Sequence, residues 1–139
     1  PVLIAQLAWF MHWKKFLRKK NKKICFDLDN VICNTKSNNY KIATTNKEAI
    51  KLVNKLYSNN FEIIIFTTRF MGRTNNNKEK AISLGYNLKK NQLKKWKVKY
   101  TKLLLGKPSY DLIIDDKALG FSKKKWINQI KKKLFRKIV

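Results

Sequence analysis

Three apolar runs, separated by stretches of helical periodicity, predict an α/β fold built on a parallel sheet with helices on both faces. The runs are Ile24-Cys25-Phe26, EIIIFTT at 62–68 and YDLIIDD at 110–116. Continuous rather than alternating apolar runs fit strands covered on both sides. Strand and helix patterns alternate along the chain, as in βαβ units. The runs end in Asp27, Thr67 and Asp115. Right-handed crossovers bring such ends to one carboxyl edge, where open α/β sheets place their sites.

The first strand is expected over 23–29, followed by a polar loop or small flap over 34–44. Thr45-Asn46-Lys47-Glu48 matches a capping box. Ala49, Ile50, Val53, Leu56 and Tyr57 follow at helical spacing, and Asn59-Asn60 ends that helix. After the second strand, Asn75-Asn76-Asn77 marks a turn. A short helix over 78–84 is expected to stop at Gly85. A longer helix over 91–105 carries Leu93, Trp96, Tyr100, Leu103 and Leu104 as its stripe, and Gly106-Lys107-Pro108 closes it. The third strand spans 110–116. A last helix begins at Ser122, with Trp126, Ile127, Ile130 and Leu134 on one face.

A length of 139 residues and 44% hydrophobic content suit one domain with a real core. Residues 1–21 are expected to lie outside it, as an extension to a domain of residues 22–139. Residues 1–13 are apolar and 14–23 basic. The apolar part is too short for a transmembrane span, and its order is the reverse of a signal peptide. A membrane-surface helix and a start at Met11 are the competing accounts of it. Cys25 and Cys33 suggest no disulfide framework, with Cys25 expected as a small core residue. The expected compartment is the cytoplasm. His12, the only histidine, is given no catalytic role.

Lys and Arg number 33 against 8 Asp and Glu, a formal charge of +25. Such an excess favours non-specific affinity for nucleic acid or anionic surfaces. Scattered lysines on helical stretches also read as solvated faces, so a dedicated nucleic-acid site is not the favoured account. Half of the acids form two pairs after apolar runs, Asp27/Asp29 and Asp115/Asp116. Two carboxylates two positions apart at a strand end can address one site. They are costly without a cation, so a metal or a shared proton is expected.

Read together, these strand ends resemble the haloacid dehalogenase superfamily, mostly phosphatases. The matching segments are Phe26-Asp27-Leu28-Asp29, the strand ending Ile65-Phe66-Thr67 before Thr68-Arg69, Lys107 in Gly-Lys-Pro, and Ile113-Ile114-Asp115-Asp116. The resemblance runs from about residue 23 to 121 and implies a Rossmann-like fold without a large cap. It implies Asp27 as a nucleophile that forms an aspartyl-phosphate and Asp29 as general acid and base. It implies Thr67 and Lys107 as phosphate-side catalytic groups. It also implies Mg²⁺ held by Asp27, Asp29 and the pair Asp115 and Asp116. Asn30 stands where the family usually has Gly; Asn tolerates a left-handed backbone. Thr68, Arg69 and Arg73 follow the second strand and are expected to bind substrate, the arginines bidentately.

The segments FTTRFMGR, GYNLKKNQLKKW and GKPSYDLIIDDKALGF look like a narrower group, small capless phosphatases of capsular and other surface polysaccharide synthesis. That resemblance implies a phosphorylated sugar or sugar acid as substrate. The site is expected to be open or covered by another subunit. The competing enzymatic reading is a nucleotide or polynucleotide 3′-phosphatase. The non-enzymatic one is a basic nucleic-acid-binding module on a decayed phosphatase fold.

Overall fold

The computed structural model describes residues 22–36, 39–113 and 115–135. Expectations for residues 1–21 fall outside the described residues. The elements in order are β1 (Lys23–Asp27), β2 (Cys33–Asn34), β3 (Thr44–Thr45), α1 (Lys47–Ser58), β4 (Glu62–Thr67), α2 (Lys78–Lys95), β5 (Lys102–Leu105) and α3 (Trp126–Phe135). Short 3₁₀ turns lie at Tyr40–Ile42 and Gly72–Thr74.

A three-stranded sheet has the order β1-β4-β5. Both pairings are parallel, with Asp27 opposite Phe66 and Thr67 opposite Leu105. β2 and β3 pair as a small antiparallel hairpin, the flap expected over 34–44. Because side chains alternate along strands, Phe26, Ile63, Ile65, Thr67, Leu103 and Leu105 form one buried face. Helices reach that face: Gly85 of α2 lies against Leu105, and Trp126 of α3 meets Phe26 edge-on, ring centroids 6.3 Å apart. The opposite face is less covered, with Cys25 exposed and Leu104 43% exposed. The expected cover on both faces is thus complete on one face only among the described residues, and the expectation of Cys25 in the core is corrected.

α1 begins one residue later than the expected box. Asn46 is its N-cap, and its side-chain oxygen accepts from the Ala49 amide at 3.2 Å. Ala49, Leu52, Val53 and Leu56 are its buried row, whereas Tyr57 is exposed.

α2 is continuous, so Gly85 does not end a helix at 84. A Cβ there would be driven into the Phe70 ring, and the glycine lets that ring lie against the helix. The expected helix over 91–105 is likewise corrected. α2 stops at Lys95, Lys97 adopts a left-handed φ of 57°, and the Val98 amide donates back to the Leu93 carbonyl at 3.1 Å. That closure is Schellman-like, with Lys in the place usually given to Gly. Asn54 of α1 then clamps the connection, donating to the Lys97 carbonyl at 2.9 Å and accepting from the Lys99 amide at 2.8 Å. Thr101 pairs with Ile63 through both backbone and hydroxyl, which starts β5 beside β4.

The third strand of the sheet is therefore β5, not 110–116. Among the described residues of that run, Leu112 is 77% and Ile113 53% exposed, and none is in a strand. The last helix keeps its expected stripe: Trp126 is buried, and Ile127, Ile130 and Leu134 pack against the core.

Candidate active site

Asp27 ends β1, and its carboxylate is held from two sides. Oδ1 accepts from the Leu28 amide at 2.8 Å, and Oδ2 accepts from Lys107 Nζ at 3.2 Å. Lys107 arrives from the end of β5. Gly106 turns the chain at φ +96°, a conformation disfavoured for residues with a Cβ, and the Lys107 amide donates to the Thr67 carbonyl at 3.3 Å. Burial alone would lower the Lys107 pKa, but hydrogen bonding to Tyr110 and the charge of Asp27 raise it above its ordinary value. The ammonium is thus held charged beside Asp27. The ends of β1 and β4 meet on one edge as expected, but the third strand end there is that of β5, which delivers Lys107, and not the expected Asp115.

Thr67 is fully buried on the helix-covered face, and its hydroxyl oxygen accepts from the Arg69 amide at 3.1 Å. Asp27 belongs to the other side-chain row, so alternation turns the two apart. Thr68 is half-buried, and its carbonyl accepts from the Met71 amide.

Asp29 lies in a second cluster. Arg69 Nε donates to both its oxygens at 2.9 Å, and Nη2 donates to Oδ1 at 2.5 Å. Thr35 donates a hydroxyl to Oδ1 at 2.7 Å. Burial pushes the Asp29 pKa up, but the hydrogen bonds from Arg69 and Thr35 outweigh it and hold the carboxyl below its ordinary value. Asn30, directly after it, takes φ 61°, the left-handed turn for which Asn is suited.

Arg69 is 1% exposed, and its guanidinium is bonded to Asp29, Cys33, Thr35 and Gln92. The expectation that it grips substrate directly is corrected: it braces Asp29. Arg73 is exposed, with its guanidinium 4.8 Å from the Tyr40 ring centroid.

Sequence reasoning missed Tyr40, Lys89 and Gln92. Gln92 Oε1 accepts from both Arg69 Nη1 at 3.1 Å and Lys89 Nζ at 2.9 Å, while Nε2 donates to the Tyr40 carbonyl at 2.8 Å. Arg69 and Lys89 lie 4.4 and 4.9 Å from the Tyr40 ring centroid. One signal was available. Ala81, Gly85, Lys89 and Leu93 recur at every fourth position, so Lys89 interrupts the buried row of α2.

Asp115 and Asp116 do not join Asp27 as metal ligands in this arrangement. Both are exposed at a turn, where Asp115 accepts from the Lys117 amide at 2.8 Å and from Ala118 through its carbonyl. Among the described residues no three His, Cys, Asp or Glu side chains gather to hold a metal ion. Asp27 and Asp29 are instead matched by Lys107 and Arg69.

No family model matches the chain, and no curated protein matches it. A crystal structure of a target protein from Vibrio cholerae is similar, with a TM-score of 0.66 and 27% sequence identity. The match covers 81% of this chain and 98% of that one. The fold is α/β. Among the described residues, its parallel sheet and three helices are consistent with a Rossmann-like arrangement. Among the described residues, no helix is long and apolar enough to cross a membrane.

Proposed function

We propose that the chain is a phosphomonoester hydrolase of the haloacid dehalogenase type, acting on a small phosphorylated sugar or sugar acid in surface polysaccharide synthesis. One observation carries the reading. Asp27 stands at the carboxyl edge of the parallel sheet with the Lys107 ammonium 3.2 Å from one oxygen. A charged lysine there offsets repulsion between a carboxylate nucleophile and an anionic phosphate.

In the first step an Asp27 oxygen attacks phosphorus, and the bond from phosphorus to the sugar oxygen breaks. In the second step water attacks the aspartyl-phosphate, Asp29 takes its proton, and the bond to Asp27 breaks to release phosphate. Asp29, held ionised by Arg69 and Thr35, suits proton acceptance. Giving a proton to the leaving oxygen in the first step requires Asp29 to be protonated, hence a looser Arg69 pair. Mg²⁺ enters this reading from the sequence pattern alone, with Asp115 and Asp116 as its further ligands, and no step above runs through it.

The test is phosphate release from a panel of phosphosugars, with and without chelation of Mg²⁺. Asp27→Asn is expected to abolish turnover with an unchanged melting temperature. Substantial residual hydrolysis by that variant would falsify the aspartyl-phosphate route. Chelation is expected to remove activity, and full activity without divalent cations would leave Lys107 as the sole neutralising charge.

The net charge of +25 favours a second reading, a nucleotide or polynucleotide 3′-phosphatase with the same nucleophile. Preference for oligonucleotide phosphate over sugar phosphate at low salt would select it.

A further inference from the structure

The Asp27 side chain keeps 34% of its surface exposed and that of Lys107 12%, so the pair is open to a ligand. Two aromatic rings flank the ammonium. The Phe66 centroid lies 6.0 Å and the Tyr110 centroid 5.2 Å from Lys107 Nζ. Phe66 is the register partner of Asp27 on the neighbouring strand, so both side chains point to the less covered face of the sheet. Phe66 is half-buried there, whereas Tyr110 is 42% exposed. Tyr110 is nevertheless anchored. Its hydroxyl oxygen accepts from the Lys107 ammonium. The amide of Ser109, just before it, donates to Asn76 Oδ1 at 3.3 Å. A tyrosine tied at its polar tip and open along its ring presents a rigid apolar surface at low cost in side-chain entropy.

We propose that Tyr110 is the platform for the alcohol part of the phosphoester: the phosphoryl group sits at Asp27 and Lys107, and a ring of the substrate lies against the phenol. The inference rests on the phosphatase reading and deepens it, because it names a specificity-determining residue and the shape that residue selects. A phosphoryl oxygen hydrogen-bonded to Lys107 lies about 3 Å from Nζ. The ring carried by that phosphorus begins a bond or two further out, which is the reach of the Tyr110 ring from the same nitrogen. A closed sugar offers a flat face of C–H groups and an aryl ester offers a π face, and either matches an apolar ring. An open-chain polyol has no fixed face to lay down. The substrate class is therefore a phosphomonoester of a ring.

The experiment compares phenylphosphonate, cyclohexylphosphonate and methylphosphonate, which carry the same anionic head on a bond that hydrolysis does not break. Binding to the full chain is measured by calorimetry. Both ring compounds are expected to bind about tenfold tighter than methylphosphonate, as burial of one ring face warrants. Tyr110→Ala should close most of that gap, Tyr110→Phe should keep most of it, and Lys107→Met should weaken all three compounds alike. Tyr110 is exposed, so its variants are expected to fold, which an unchanged melting temperature checks. Equal affinities in the unaltered protein, binding of none of the three, or a gap that survives Tyr110→Ala would overturn the platform. Loss of the whole gap in Tyr110→Phe would assign it to the hydroxyl and overturn the stacking. A gap confined to phenylphosphonate would support the platform and select an aryl ester over a sugar. The expected gap without hydrolysis of phenyl phosphate or glucose 6-phosphate would support the platform and count against the phosphatase reading.

Discussion

Lys89 shows how one side chain can carry a pH signature. Its pKa falls from 10.5 to about 8 on folding. Between those values the unfolded chain holds a proton that the folded chain does not. Stability therefore rises with pH across that window, and below it the folded state bears the full penalty of the buried charge. We expect the difference in melting temperature between Lys89→Met and the unaltered protein to be largest near neutral pH, with the variant more stable. It should shrink toward pH 10, by on the order of 3 kcal/mol at most. A difference that does not change with pH would mean that Lys89 is charged throughout. Phe70 is a second residue-scale case. It holds φ 69°, unusual for a bulky side chain, and its ring sits 5.7 Å from that of Tyr40. The strained residue thus follows Arg69 directly and walls the cation cluster.

Among the elements, α2 does most to build the site. It carries Lys89 and Gln92 toward Arg69, and it closes on Phe70 through Gly85. Replacing Gly85 by Ala tests that packing. Helix propensity would favour Ala by roughly 1 kcal/mol. Overpacking against the Phe70 ring costs about 1–3 kcal/mol. The net expectation for Gly85→Ala is a loss of about 1 kcal/mol, read as a melting temperature lower by several degrees. An equal or higher melting temperature would show that the ring has room to move. β1 is the other element of note. Among the described residues it is an edge strand, in the order β1-β4-β5, and no described strand pairs with its outer hydrogen-bonding groups.

For the whole molecule, the charge of +25 is spread over many exposed lysines. Charge of that kind produces a general field rather than a site. Duplex DNA is expected to bind weakly and without sequence preference. Its affinity should fall about tenfold or more between roughly 50 and 200 mM salt. Asp27→Asn should not change that binding, because the nucleophile takes no part in it. Salt-resistant binding, or binding that responds to Asp27→Asn, would favour the polynucleotide phosphatase. Phosphosugar affinity should be less salt-sensitive, since it rests on a few partly buried cations.

Local patterning alone determined several features. The runs at 23–27 and 62–67 became β1 and β4, Asn46 and Asn59 bound α1, and Asn30 took the left-handed turn after Asp29. Lys107 came instead from the family resemblance, which local pattern does not supply, and it does meet Asp27. Those signals are short-range, carried by apolar runs, caps and turn residues within a few positions. Tertiary structure decided the rest. The helix stop at Lys97 has no Gly to announce it, and Leu103 to Leu105 fit helix and strand equally in sequence. Gly85 resembled a helix end because the Phe70 ring that requires it lies fifteen positions away. The run at 110–116 has strand composition, but no described part of it pairs, which leaves Asp115 and Asp116 exposed. Arg69 read as a substrate ligand because its partner, Asp29, is forty residues distant. A charge finds its counter-ion, or fails to, only after distant elements pack, and sequence spacing cannot report that.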